Sequence, residues 1–433
     1  MEAVLHQLEL HQREISGDGY PYGLQLILQA LGCATHYSDP IAVLDLEPVI
    51  SRLRTRIGDP SYIRKLTRQL LLDNSHRVTL VMKPDTELSA RRAAAESERL
   101  AAIKAGMNPA ARAETVQLAQ DLAARQQQAD DETVLPKVEL SDVPDSLPEL
   151  AYRESNPRGI PITSYSQGTN GLVYQQLVTP LPLLEPAQLA TLPLYTQVMT
   201  ELGLGPRDYL ETQHRQSATV GSINGFSSMR GAVANEQAVS GYLALSSKAL
   251  LRNAEEQSQL MHDTLETLRF DETDRLRELV SQMRARRDQS ITGNGHGLAM
   301  AAASAGMSPL AKLNHELSGL AGIRSLRALD DGLKSGENLA SFADGLAQLH
   351  SKVVAMPRQI LLIAEEERTA AVADLAAQTW GFAQQSTRQP HFTLEPVRER
   401  KAEMWLTNTQ VNFCARAYPT VPVQHPDAAA LTV

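Results

Sequence analysis

Histidine pairs are the first place to look for metal chemistry, and the closest such pair near the start of the chain is His6-Gln7-Leu8-Glu9-Leu10-His11. A zinc-binding helix needs its two histidines one turn apart, at i and i+4, so that both imidazoles reach one ion. Five residues turn a helix through about 500°, which leaves these two rings roughly 140° apart. The pair therefore reads as facing solvent or core. The run Gly293-Asn294-Gly295-His296-Gly297 has the glycine content of a phosphate-binding loop. It follows a predicted helix rather than a strand and no Lys-Ser/Thr comes after it, so it reads as a loop ahead of a short helix over 298–305. Glu365-Glu366-Glu367 follows a strand-like run and offers carboxylates for acid–base work or a metal ion. Acids in the first turn of a helix are equally favoured by the helix dipole. Cys33 and Cys414 lie too far apart in sequence for a disulfide framework or a zinc site of familiar spacing, and read as buried or incidental thiols. No Gly-x-Ser-x-Gly elbow occurs, and no cysteine stands near a histidine in a catalytic frame. The residues by themselves assign no catalytic, cofactor-binding or metal-ligating position.

The elements that would have to position such groups are plainer. A chain of 433 residues has room for about three domains, each with its own core. With 41 Lys plus Arg against 50 Asp plus Glu and 4% aromatics, it has neither the basic field nor the stacking platform of a nucleic-acid binder. No apolar run approaches about 18 residues and no basic stretch leads an apolar one, so no membrane partner is expected and the cytoplasm is the expected compartment.

Residues 1–75 read as helices broken at Gly17-Asp18-Gly19-Tyr20-Pro21 and Gly58-Asp59-Pro60, followed by a strand over 77–82 that Lys83-Pro84-Asp85 ends. Residues 87–128, almost free of aromatic and β-branched side chains, read as a charged antiparallel helical hairpin. Gly106 can end its first helix, Asn108 can cap the second, and Pro109 suits the first helical position. After an irregular stretch over 129–171 the pattern predicts a strand over 172–178, helices over 186–203 and 206–216, and two neighbouring antiparallel strands over 218–228 and 238–246. Long helices over 247–287 and 308–349, a buried strand over 359–364 and a helix over 368–381 complete the unit, and 403–417 alternates like a strand. Strands followed by grouped helices predict an α+β fold, a layered antiparallel sheet with packed helices, joined to the hairpin. Both ends read as cut: the first helix lacks a capping residue, and the helix that His425-Pro426-Asp427 would open has barely two turns. Partial domains at 1–85 and 401–433 would leave strand edges open, and the expected consequences are self-association and quick proteolytic trimming down to about 140–400.

Several multi-residue blocks carry a resemblance. They are Leu5-His6-Gln7-Leu8-Glu9-Leu10 with Gly19-Tyr20-Pro21-Tyr22-Gly23-Leu24, Leu71-Leu72-Asp73-Asn74-Ser75-His76-Arg77-Val78, Thr200-Glu201-Leu202-Gly203 with Arg207-Asp208-Tyr209, Gly293-Asn294-Gly295-His296, and Thr407-Asn408-Thr409-Gln410-Val411-Asn412-Phe413 before Ala417-Tyr418-Pro419. In this order they resemble the presequence proteases, the falcilysin-like branch of the insulinase/pitrilysin zinc metallopeptidases, over the peptidase-associated region. The resemblance implies four homologous α+β domains in two halves, joined by a helical hairpin and closing around a chamber that admits unfolded peptides. On that map 1–85 is the end of the second domain, 86–130 the hairpin, 140–400 the third, non-catalytic domain and 401–433 the opening strand of the fourth. The family's zinc motif, His-x-x-Glu-His, is absent from this sequence. The implied role is a non-catalytic chamber wall and hinge of a zinc metalloendopeptidase. It needs no cofactor of its own, and its partners are the catalytic N-terminal half, on the same or a separate chain, and unfolded peptides. A free-standing peptide-binding or scaffold protein derived from that family is the alternative.

Overall fold

We describe the fold from a computed structural model covering residues 1–15, 19–146, 149–381, 392–407 and 411–431. Its residues fall into two units, Met1–Pro60 with Leu150–Val433, and Ser61–Glu149. Three helices open the first unit: α1 (Glu2–Arg13), α2 (Tyr22–Thr35) and α3 (Glu47–Ile57). Leu5 and Leu10 of α1 are buried, as its apolar stripe requires, whereas α2 buries none of its residues. Gly17 and Asp18, read as the break between them, lie outside the described residues.

The second unit holds α4 (Tyr62–Thr67), α5 (Leu88–Gly106) and α6 (Pro109–Gln127). The turn chemistry between the last two is as read: Pro109 is the first helical residue, and the Ala111 N–H donates to Asn108 Oδ1 at 2.8 Å. Arg112 reaches back across the turn to the Lys104 carbonyl at 2.8 Å. Apart from half-buried Met107 and Ala111, residues 88–127 are exposed. Residues 77–82 form no strand. Val78, Leu80, Val81 and Met82 are instead strongly exposed. Their β-branched and apolar content suits a strand, but propensity without a pairing partner does not make one.

The rest of the first unit is a layered α+β domain. Its sheet contains β1 (Arg153–Ser155), β2 (Ile162–Ser166) and β3 (Leu172–Pro180), then, after α7 (Pro186–Val198) and α8 (Tyr209–Thr219), β4 (Ser222–Ala232) and β5 (Asn235–Leu250). Five helices follow: α9 (Ala254–Glu266), α10 (Thr273–Gly293), α11 (Gly295–Ser304), α12 (Pro309–Leu317) and α13 (Leu320–Gly332). Then come α14 (Gly336–Val354), β6 (Gln359–Ala364) and α15 (Glu366–Trp380). The order is β1-β2-β6-β3-β5-β4, antiparallel throughout except for the parallel β2–β6 pair. Successive strand side chains alternate between faces. Accordingly Val173 and Leu177 of β3, with Leu245 of β5 and Ile360 and Leu362 of β6, face a core built with Leu192 and Tyr195 of α7, Leu260 of α9, Leu346 of α14 and Trp380 of α15. The opposite face of β3 and β5 presents Leu172, Tyr174 and Leu250, and Leu10 of α1 packs there.

Several boundaries differ from the sequence reading. The helix expected over 206–216 starts at Tyr209, because Asp208 accepts the Glu211 N–H at 2.9 Å and so caps it. The helix expected over 247–287 is preceded by β5, which runs on to Leu250, and is broken over 267–272. There Gly205 donates to the Thr267 carbonyl at 2.8 Å and Arg269 to that of Gly203 at 3.1 Å, so tertiary bridging displaces the helix. The span 308–349 resolves into α12, α13 and α14, the first capped by Ser308. β1 and β2 lie in the stretch read as irregular. Residues 408–410 of the strand expected over 403–417 lie outside the described residues, and the described remainder forms no strand. Residues 426–431 make turns, not a helix.

Candidate functional site

A buried polar junction forms where α1 meets the sheet domain of the first unit. Leu5, His6, Glu9 and Leu10 are the buried residues of α1, so a carboxylate sits on the apolar stripe of an amphipathic helix. Such a group is tolerated only when its lone pairs are matched. Arg252, which follows β5, matches them with a two-pronged contact, Nη1 to Glu9 Oε1 at 2.8 Å and Nη2 to Oε2 at 2.6 Å. Arg54 of α3 donates to Glu9 Oε2 at 2.8 Å. Arg13 Nη2 lies 3.3 Å from Glu9 Oε1 and 3.0 Å from Glu47 Oε2. The Arg252 hydrogen bonds outweigh burial and hold the Glu9 carboxyl down at about 2. Around this clamp, Gln7 Nε2 donates to the Ser217 and Val220 carbonyls at 2.8 and 2.7 Å, and Lys248 pairs with Glu14.

His6 shares the junction. Burial, helped by the positive charge of Arg252, pushes its pKa below the ordinary histidine value, against an opposing hydrogen bond to the Thr219 backbone. Its Nε2 is buried without a partner among the described residues. His11, the other half of the sequence pair, is exposed. A half-buried imidazole, His350 of α14, lies in the helix layer, where Tyr195 Oη meets its Nδ1 at 2.9 Å. Burial lowers the His350 pKa and raises that of the Tyr195 phenol.

The other sequence candidates have structural roles. Gly293-Asn294-Gly295-His296-Gly297 is no loop: it is the junction of α10 and α11, with Gly295 and Gly297 inside the second helix. Gly295 is small because the Phe413 ring lies where a Cβ would go. Glu365 precedes α15, its Oε1 accepting the Gly171 N–H at 3.0 Å, and Glu366 and Glu367 occupy the first turn, where the helix dipole favours them. Cys33 is half-buried, Cys414 exposed, and both are free thiols. Among the described residues no three His, Cys, Asp or Glu side chains are grouped so as to hold a metal ion. The clamp was missed because its partners are 243 residues apart, although Glu9 four residues after Leu5 on an apolar stripe was a visible signal.

Residues 82–329 match the family described as peptidase M-16C associated. The chain belongs to this family. The presequence-protease resemblance extends along the chain. It is 26% identical over 364 residues to presequence protease 1, chloroplastic/mitochondrial, of Arabidopsis thaliana, covering 82% of this chain and 33% of that protein. With the mitochondrial presequence protease of Yarrowia lipolytica it is 25% identical over 448 aligned residues, covering 100% of this chain and 43% of the relative. The chain thus spans a third to somewhat over two fifths of the length of these curated relatives. Among solved structures, a conserved protein from Enterococcus faecalis V583 aligns with a TM-score of 0.40 at 12% identity, covering 55% of this chain and 54% of that one. No helix among the described residues is long and apolar enough to cross a membrane.

Proposed function

We propose that this chain is the non-catalytic chamber-wall and hinge portion of a presequence-protease-like zinc metalloendopeptidase that degrades unfolded peptides. The observation that supports the reading best is the end-to-end match to under half of a presequence protease in a sequence without His-x-x-Glu-His. The described residues do not fit a zinc ion, since no group of three ligands converges. Zinc and the acid–base groups accordingly come from the catalytic N-terminal half of the family, on the same or a separate chain. The clamp at Glu9 suits a wall element, because it fastens α1 to the sheet at both its charged and its apolar positions. The cytoplasmic setting expected from the sequence stays part of this proposal, alongside relatives whose names are mitochondrial or chloroplastic.

The test is reconstitution. The purified chain is mixed with the catalytic half of a presequence protease, and co-elution, zinc content and cleavage of an unfolded fluorogenic peptide are measured. We expect co-elution, and cleavage in the mixture but not from this chain alone. Chelator-sensitive cleavage by the chain alone, with one tightly held zinc, would overturn the proposal. Peptide binding without any co-elution would favour the free-standing peptide-binding protein instead.

A further inference from the structure

We propose that the chain beyond Glu399 is a hinged arm, latched on the helix layer by Trp405 and able to swing where it leaves the sheet domain. Residues 392–407 cross the domain without forming a helix or strand. Backbone anchors fix the first part of this segment. Phe392 is buried and its N–H donates to the Leu181 carbonyl at 3.1 Å, while the Val397 N–H donates to Gln237 Oε1 at 2.7 Å and the Glu399 N–H to the Gly306 carbonyl at 2.9 Å. Past Glu399 such anchors stop. Among the described residues the backbone of 400–407 makes no hydrogen bond to another backbone group. Met404 and Leu406 are 85% and 89% exposed, and half-buried Trp405 between them is the side chain that turns inward.

The latch is therefore made of side chains. Trp405 Nε1–H donates to Glu403 Oε2 at 2.8 Å, and the same oxygen lies 3.5 Å from Nε2 of His315 on α12. The imidazole meets the indole at 75° with ring centres 5.9 Å apart, and the Arg324 guanidinium of α13 lies 4.8 Å from the Trp405 ring centre. Contacts of this kind contribute little each at a partly exposed position. A cost stands against them. His315 is buried, and its Nδ1 has no partner among the described residues, so the ring gives up hydration that nothing replaces. Lifting the indole brings water to that ring. Weak attractions set against an unpaired nitrogen leave the latched and open forms close in free energy, whereas the anchors over 392–399 stay closed in both. The swing is thus confined to residues 400–402, between the last backbone anchor and Glu403.

The inference rests on the wall-and-hinge reading for its role, which is to set the direction in which the following residues leave the wall; its test is independent of assembly. The chain contains two tryptophans, and Trp380 lies in the core. The full chain labelled with 5-fluorotryptophan accordingly gives two fluorine NMR signals, which Trp405→Phe assigns. We expect the Trp405 signal to be split or broadened by exchange. Glu403→Ala and, separately, Arg324→Ala, both at exposed positions, should move it to the position of a solvated indole and leave the Trp380 signal in place. Trypsin should cut after Arg400 and Lys401 about threefold faster or more in both variants, because local opening sets the rate. A sharp Trp405 signal that neither substitution moves would overturn the proposal. So would a wild-type signal already at the solvated position, since the latch would then not close. A Trp380 signal that moves together with that of Trp405 would overturn it too, because the domain rather than an arm would be opening. Failed co-elution with a catalytic half, with the latch behaving as expected, would count against the wall reading alone.

Discussion

Glu9 is worth more than a surface acid because three arginines have been arranged around a carboxylate that water hardly reaches. Removing one partner of a buried pair costs more than the pair itself contributes, since the remaining charge is left without its match. Glu9→Gln should therefore lower stability by about 3 kcal/mol in urea unfolding, the low end for buried pairs because Arg252 is half exposed. Arg54→Ala removes a single bond from a 44% exposed side chain, and should cost under about 1 kcal/mol. Similar losses for the two would mean that Glu9 is not the centre of the clamp. Buried His6 and half-buried His350 contribute to the pH dependence. His6 and His350 are held neutral mainly by burial, while the unfolded chain takes up protons near pH ~6.5. Their contribution is complete above about 6.5 and is lost as pH falls below it, because the unfolded state then binds more protons than the folded one. Glu9 adds a second loss, as pH falls from its ordinary range near 4.5 through about 2. The urea midpoint should fall in two stages on acidification, and a midpoint unchanged between pH 7 and 5 would contradict the histidine assignment.

Elements whose signals are local could be read from the sequence, and α6 shows why. Asn108, Pro109 and the preceding Gly106 act on their own turn, so no distant partner is needed for the boundary to hold. Pro109→Ala should be nearly neutral, since position N1 has no intrahelical bond to lose. Leu118→Pro removes a mid-helix bond and adds a clash, at about 3 kcal/mol or more, read as lost helical signal in circular dichroism. Equal tolerance of the two would mean that α6 is not helical in solution. β3, β4 and β5 were legible for a related reason, their alternation being strong and β4 and β5 adjacent in sequence. β2 was not, because its five residues are held by parallel pairing with β6, roughly two hundred residues later. The run over 77–82 failed the opposite way, having strand residues and no partner. Gly306, like Gly295, has a purpose invisible in sequence: its carbonyl accepts the Glu399 N–H at 2.9 Å, and a Cβ there would overlap the Glu399 carbonyl.

At the scale of the whole molecule, the sequence led to an expectation of frayed ends and a surviving centre, and the structure redistributes the vulnerability. Met1–Pro60 and Leu150–Val433 belong to one unit although 89 residues, Ser61–Glu149, separate them in the chain. α1 is held against the sheet by the Glu9 clamp, by Gln7 on the carbonyls of Ser217 in α8 and of Val220 just after it, and by Leu10 packed on Leu172 and Leu250. The intervening unit is the exposed part: residues 88–127 bury no side chain, and 73–87 are exposed throughout. Protease needs an accessible segment that can open locally, and local opening is easiest where few apolar side chains are buried. Limited proteolysis should therefore cut first within Ser61–Glu149. The two flanking pieces should then co-elute in gel filtration and separate only in denaturant, since cutting a connection does not remove the packing between them. Glu9→Gln should make them separate at lower urea. If the N-terminal 60 residues are lost as soon as the first cut is made, the clamp is too weak to hold α1 and the wall reading loses its anchoring point.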